Sequence, residues 1–169
     1  MTYTRKGDCG KTITASGERV CKDDCTIEVN GSLDSLQAIM DKIIILNTNK
    51  DIHMQLEHIQ KNLWQLGGEV SYKKVGKSIK HPVTDDDLLK LELWIKDMDI
   101  EITGFQRFRN PLAIEINESR VRARNLERLM SKYFRMKYLR AVSFAYINRL
   151  SSYFFVLSVY IERGSSNEK

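Results

Sequence analysis

From Leu33 onward, apolar residues recur at intervals of three and four, the period of a helix with one buried face. Leu33, Leu36, Met40, Ile43 and Ile44 form one such stripe and predict a first helix from Leu33 to about Leu46, with Ser32 as its cap. The pattern resumes with Ile52, Leu56, Ile59, Leu63 and Leu66, which predicts a second helix from near Asp51, with Gly67-Gly68 as its stop. Thr84 followed by Asp87 resembles a capping box with Asp in place of Glu, and starts a third helix that runs to about Met98. Pro111 suits the first turn of a fourth helix reaching about Tyr133. A fifth is expected from Leu139 to about Arg163, apolar on nearly every side and therefore placed in the middle of the others.

Residues 1–30 mix glycine, cysteine and both charges without helical period, and read as an extended arm; residues 164–169 read as a frayed tail. No repeat of 20 to 50 residues is present. The whole chain, 1–169, is thus expected to be one all-α domain, an antiparallel bundle of five helices over 31–163 preceded by the arm. With 42% hydrophobic and 29% charged residues the chain is not wholly disordered, and two prolines leave room for long helices. The stretch Ala141–Ile161 is long enough to span a bilayer, but Asn148 and Arg149 fall near its middle. An arginine there costs about 2.5–3.5 kcal/mol on the insertion scale, so a helix within a bundle is expected and a membrane partner is not.

Lysine and arginine number 27 against 22 acidic residues, a net charge of +5 that favours anionic partners. The acidic residues are interspersed and no uninterrupted basic run is present, so nucleic acid is not the expected partner. The densest basic stretch, Tyr72–His81, reads as a solvated loop. Three cysteines, Cys9, Cys21 and Cys25, cannot pair completely, and no signal peptide precedes them; free thiols in a reducing cytoplasm are expected. A zinc site would need a fourth ligand and tighter spacing.

Two places carry candidate chemistry. "TRKGDCGKT", Thr4–Thr12, ends like a phosphate-binding P-loop, but Arg5 stands where the motif needs its first glycine and no hydrophobic strand leads in. Its two glycines, two threonines and three cations still suit an anion held by curled backbone N–H groups. A plain flexible leader fits the same composition. On the fourth helix, Asn117, Arg120, Arg124 and Glu127 form a polar stripe beside the apolar one of Leu112, Ile116, Ser119, Ala123, Leu126 and Met130. The stripe by itself fits a solvated face with an Arg124–Glu127 ion pair. Asn148-Arg149, interrupting the apolar fifth helix, suggests a buried amide seeking partners there. Two arginines, a glutamate and an asparagine meeting at that seam would form a nucleotide pocket, since arginine offers forked donors to phosphate.

Read together, "YTRKGDCGKT", "GERVCKDD", "NGSLDSL", "ESRVRARNLER" and "INRLSSYFFVLS" stand in the order found in the PduO-type ATP:cobalamin adenosyltransferases, which the chain resembles over nearly its whole length. The resemblance implies a ferritin-like five-helix bundle assembled as a homotrimer, with ATP and a corrinoid at subunit interfaces. It implies that cobalamin, once reduced to Co(I), attacks the ribose C5′ of ATP, with magnesium assisting as triphosphate leaves. No Ser/His/Asp, Cys/His or dicarboxylate constellation is then required, because the corrinoid is the nucleophile and the protein orients it. A reductase and an adenosylcobalamin-dependent enzyme are the partners this chemistry implies.

Carried over by position, Thr4, Lys6, Gly7, Asp8, Gly10, Lys11 and Thr12 would wrap the triphosphate, with Lys22 adding charge. Arg120, Arg124, Glu127, Arg128 and Asn148 would complete the ATP site, with Arg124, Glu127 and Asn148 carrying catalysis and Arg124 neutralising the leaving triphosphate. Arg120 would pair with Asp34 near the corrinoid or across the interface; Phe105, Phe108 and Asn117 would complete the corrinoid side. The chain departs from the family in several places. The loop before the fourth helix reads "GFQRFRNP" without the usual paired glycines, so Phe105 is the first choice for the phenylalanine that displaces cobalt's lower ligand and Phe108 the second. Asn117 replaces a common histidine, Asn125 an arginine, Ser152 an aspartate and Ser35 a glutamate. A diverged relative that binds ATP or adenosylcobalamin for storage, delivery or regulation is the alternative.

Overall fold

The computed structural model describes residues 5, 7–73, 79–136 and 138–166, the last two without their side chains. They form a short antiparallel hairpin and five helices: β1 (Lys11–Ile13), β2 (Arg19–Cys21), α1 (Cys25–Leu46), α2 (Lys50–Tyr72), α3 (Asp85–Asp97), α4 (Pro111–Arg135) and α5 (Ala141–Ser166). In register, Lys11 faces Cys21, Thr12 faces Val20 and Ile13 faces Arg19.

The apolar stripes become one contiguous core. Leu36 and Met40 of α1, Leu56 and Leu63 of α2, Ala123 and Leu126 of α4, and Tyr146 and Phe154 of α5 are fully buried in it. Helix α4 packs against both α1 and α5, while α2 lies on α1 and α3 on α5. The capping box at Thr84 forms: its hydroxyl accepts from the Asp87 N–H, and the Asp87 carboxylate accepts from the Thr84 N–H at 2.9 Å. Among the described residues no helix is long and apolar enough to cross a membrane.

Four expectations need correction. Helix α1 begins at Cys25, before Ser32, because the Asp24 carboxylate caps it by accepting from the Thr26 N–H at 2.8 Å. That bond holds the Asp24 carboxyl below its ordinary value. The arm is correspondingly shorter and partly β: Thr14 and Glu18 close a three-residue turn with Gly17 at φ +84°. Helix α2 runs through Gly67-Gly68 to Tyr72, because Glu69 and Val70 beyond the glycines are buried. The basic stretch after α2 is not wholly solvated, since Ile79 is buried; positions 74–78 of it lie outside the described residues.

Two anchors fix the hairpin over one end of the helices. The Tyr133 hydroxyl on α4 donates to the Thr26 Oγ1 at the start of α1, and the Cys25 Sγ–H approaches the Tyr133 hydroxyl oxygen at 3.7 Å. Burial pushes the Tyr133 phenol well up, so it stays a donor. On the other side Lys73, just past α2, meets Glu18 at 3.0 Å, and this bond raises the lysine. All three cysteines carry free thiols, with Cys9 and Cys21 exposed.

Candidate nucleotide and corrinoid site

The polar stripe of α4 meets α5 along a surface seam. The Asn148 Nδ2 donates to the Glu127 Oε1 at 2.7 Å. Asn148 is exposed rather than buried, a correction to the expected desolvated amide. On α5, Asn148, Ser152 and Phe155 share one face, while the neighbouring Leu150, Tyr153 and Phe154 fill the core. Helix α5 is therefore apolar where it packs on α3 and α4, and its exposed Asn148 and Arg149 reach those same neighbours at the surface, Asn148 to Glu127 of α4 and Arg149 to Glu92 of α3 at 3.1 Å.

Each arginine on this seam has a different neighbour. Arg120 donates from Nε to the Asn117 Oδ1 at 2.8 Å, and its guanidinium lies 5.6 Å from the Phe155 ring centroid. Arg128 donates to the Asn125 Oδ1 one turn back. Arg124, between them, is exposed and bonds to no described residue. Two guanidinium groups are thus held by short amides, and the middle one keeps its forked donors free beside the Glu127–Asn148 bridge.

In the arm, Gly10 sits at φ +72°, a conformation that favours glycine, and its carbonyl accepts from the Lys22 N–H at 2.9 Å. Lys22 folds back over Gly7: a Cβ on that glycine would lie 3.3 Å from the Lys22 Nζ. Asp8 and Lys11 are exposed, and Thr12 is half-buried on the opposite strand face from Lys11. Thr4 and Lys6, both expected in this site, lie outside the described residues.

The corrinoid candidates are dispersed within one chain. Phe105 is 90% exposed at the tip of the loop before α4, whereas Phe108 is half-buried. Asp34 is exposed on α1, beside the 80% exposed Trp64, where two cavities of about 570 and 740 Å³ adjoin. It makes no bond to a described residue, and the expected Arg120–Asp34 pair does not form within the chain. Helix α1 reaches α4 instead through Ser35, which accepts from Arg122, and through Lys42–Glu115 at 2.6 Å. Arg122 and Phe155 were not read from the sequence as parts of this region. Phe155 stands seven residues after Asn148, a helical spacing that would have placed it on the same face. Among the described residues no group of three or more His, Cys, Asp or Glu side chains gathers as a metal site.

The sequence profile described as cobalamin adenosyltransferase matches residues 2–161, nearly the whole chain. The chain belongs to the cobalamin adenosyltransferase family. A corrinoid adenosyltransferase of Citrobacter freundii is 29% identical over 161 residues, covering 92% of both chains. The corrinoid adenosyltransferase PduO of Salmonella typhimurium is 28% identical over 161 residues; the match takes in 92% of this chain but 48% of that protein, so the chain spans about half of its length. In fold, a variant PduO-type ATP:corrinoid adenosyltransferase from Lactobacillus reuteri, complexed with cobalamin and ATP, superimposes with a TM-score of 0.83. It is 22% identical, and the superposition covers 98% of this chain and 96% of the other.

Proposed function

We propose that this member of the family transfers the 5′-deoxyadenosyl group of ATP to the cobalt of a reduced corrinoid, giving the adenosylated corrinoid and triphosphate. The observation that carries this assignment to particular residues is Arg124, which bonds to no described residue and stands one turn from Glu127 of the Glu127–Asn148 bridge. Cobalt(I) supplies the electron pair, the Co–C5′ bond forms as the C5′–O bond breaks, and the leaving triphosphate gains negative charge. A forked cation that meets those oxygens as they charge lowers the barrier more than it stabilises bound ATP. Arg124 takes that role. Glu127 and Asn148, already bonded across the seam, orient the nucleoside, and Arg120 and Arg128 add charge at either side.

The arm closes the other end. The Asp8, Gly10 and Lys22 N–H groups are spent on the Arg5, Gly7 and Gly10 carbonyls of this turn, so the side chains of Lys11, Thr12 and Lys22 are what suit the triphosphate, and Asp8 belongs to the same turn. Magnesium enters on the nucleotide's own phosphate oxygens, as its hard, strongly hydrated character favours. Phe105, extended into solvent, is the residue exposed to approach a corrin face, and Asn117 and Arg120, bonded to each other further along α4, would complete the corrinoid side.

Asp34 and Arg120 suit each other in charge yet stand apart within one chain. They would meet if the α1–α2 face of one copy, with its exposed Trp64, covered the α4–α5 face of the next. Head-to-tail contacts of this kind close into a ring where the rotation between copies allows it, and a homotrimer with the site at each seam is the assembly we propose. Exposed free thiols at Cys9 and Cys21 suit a reducing cytoplasm, where a reductase and a consumer of the product would also act.

Mixing the protein with chemically reduced cobalamin, ATP and magnesium should convert the Co(I) absorption spectrum to that of an alkylated corrinoid. Bound ATP with no product above the uncatalysed background would favour the diverged binding protein instead.

A further inference from the structure

A cavity of about 790 Å³ lies at the end of the helices opposite the hairpin. Leu46, Leu112 and Ile161 give it apolar lining, and Thr48, Tyr160 and Arg163 line it too, beside the amides of Asn47, Asn49 and Asn110. Neither the Thr48 nor the Tyr160 hydroxyl bonds to a described residue. Arg163 spends one guanidinium nitrogen on the Glu101 carbonyl, at 2.9 Å, and keeps its other donors. Apolar lining with two hydroxyls and one arginine suits a ligand that joins a flat aromatic group to a single phosphate. The volume is that of ordinary small-molecule sites.

The cavity is tied to the corrinoid loop. Ile100 and Asn110, at the two ends of that loop, both line it, and Phe105 projects from the loop between them. The Glu162 carboxylate on α5 accepts from the Arg109 and Asn110 N–H groups, each at 2.9 Å, and fixes the loop's end to the cavity wall. Five residues of chain reach at most about 18 Å, so a corrinoid touched by Phe105 is within one ligand's length of the cavity. A complete corrinoid carries one group of the required kind: a benzimidazole nucleotide tail joined through one phosphodiester.

We infer that this cavity seats the nucleotide tail of the corrinoid, its base over Leu46 and Leu112 and its phosphodiester toward Arg163, an assignment that rests on the proposed adenosyltransfer. The site then selects corrinoids by their tails, separately from the nucleotide chemistry at Arg124.

Cobalamin and cobinamide, which lacks the tail, separate the two. With the unaltered protein, KM for reduced cobinamide should exceed that for reduced cobalamin by about fivefold or more, the size of one modest polar and apolar contact set. Thr48→Trp, at an exposed position that would fill the cavity, should raise the KM for cobalamin about as far and leave cobinamide unchanged. Arg163→Lys, which keeps the charge but loses the fork, should shift cobalamin alone in the same direction and by less. Equal KM values for the two corrinoids, or variants that shift both alike, would overturn the inference while leaving adenosyltransfer standing. If neither corrinoid is adenosylated, the proposed function fails on its own, and the same comparison is read by equilibrium binding of the two oxidised corrinoids through tryptophan quenching. Equal affinities there would again overturn the tail site.

Discussion

Asn148 on α5 reaches 2.7 Å across the seam to the Glu127 carboxylate on α4. The bond lies at the surface, where such a contact contributes about 1 kcal/mol or less to stability. On the proposed function its role is to orient the nucleoside. Glu127→Ala should therefore lower kcat/KM for ATP about tenfold while moving Tm by no more than roughly 2 °C. Thermal melts and steady-state kinetics on the same preparation check this; a large loss of Tm with proportionate loss of activity would make the pair a structural fastener only.

Arg124 should behave differently from its neighbours. If it meets charge that grows during the reaction, Arg124→Ala removes an ionic hydrogen bond worth about 1.5–3 kcal/mol and lowers kcat ten- to hundredfold. Arg124→Lys keeps the charge but loses the fork and should recover only part of that loss. Arg128→Ala, whose parent side chain is bonded to Asn125, should act mainly on KM. Kinetics in which Arg124→Ala left kcat unchanged would remove its assigned role.

Glu69 offers a test of the scaffold. Its carboxylate is 1% exposed and accepts from the Arg140 N–H at 2.9 Å, the Arg140 guanidinium at 3.2 Å and the Ser143 hydroxyl at 2.7 Å. The same guanidinium donates to the Val83 carbonyl, so one buried charge joins α2, the approach to α3 and the start of α5. Glu69→Ala leaves the arginine without its partner and should cost about 3–5 kcal/mol, read from denaturant unfolding.

The acid limb of stability should be steered by Asp87. Burial works to raise its carboxyl, but bonds from Thr84 and Asn62 and the charge of His58, 2.9 Å away, prevail and hold it below the ordinary 3.8. A depressed folded value contributes stability that is present above the ordinary value and lost as pH falls below it. Asp87→Asn should therefore reduce stability at neutral pH and flatten its decline below about pH 4. Urea midpoints between pH 3 and 7 check the sign; an unchanged acid slope would count against it.

Helices α2 to α5 are legible because each carries a long apolar run, with the Thr84 cap marking the start of α3 and Pro111 the first turn of α4. The start of α1 is not, because Asp24 and Ser32 are both good caps, and the choice is made by tertiary burial of Thr26 and Val29. Strands of three residues are too short to show a period, so the hairpin passed as extended chain. On α5 the many apolar residues hide the exposure of Asn148 and Arg149, which look like one buried polar interruption but bond at the surface to different helices, α4 and α3. The polar stripe on α4 was readable from spacing. That Arg120 and Arg128 would be held by Asn117 and Asn125, leaving Arg124 free, depended on rotamers that spacing does not fix.

Transfer of the C5′ carbon is the most direct thing to measure. ATP labelled at ribose C5′, reacted with reduced cobalamin and magnesium in a single turnover, should place the label on the corrinoid and release one intact triphosphate for each product formed. Label recovered in ADP or AMP, or a corrinoid left unlabelled while ATP is consumed, would contradict adenosyl transfer at this seam.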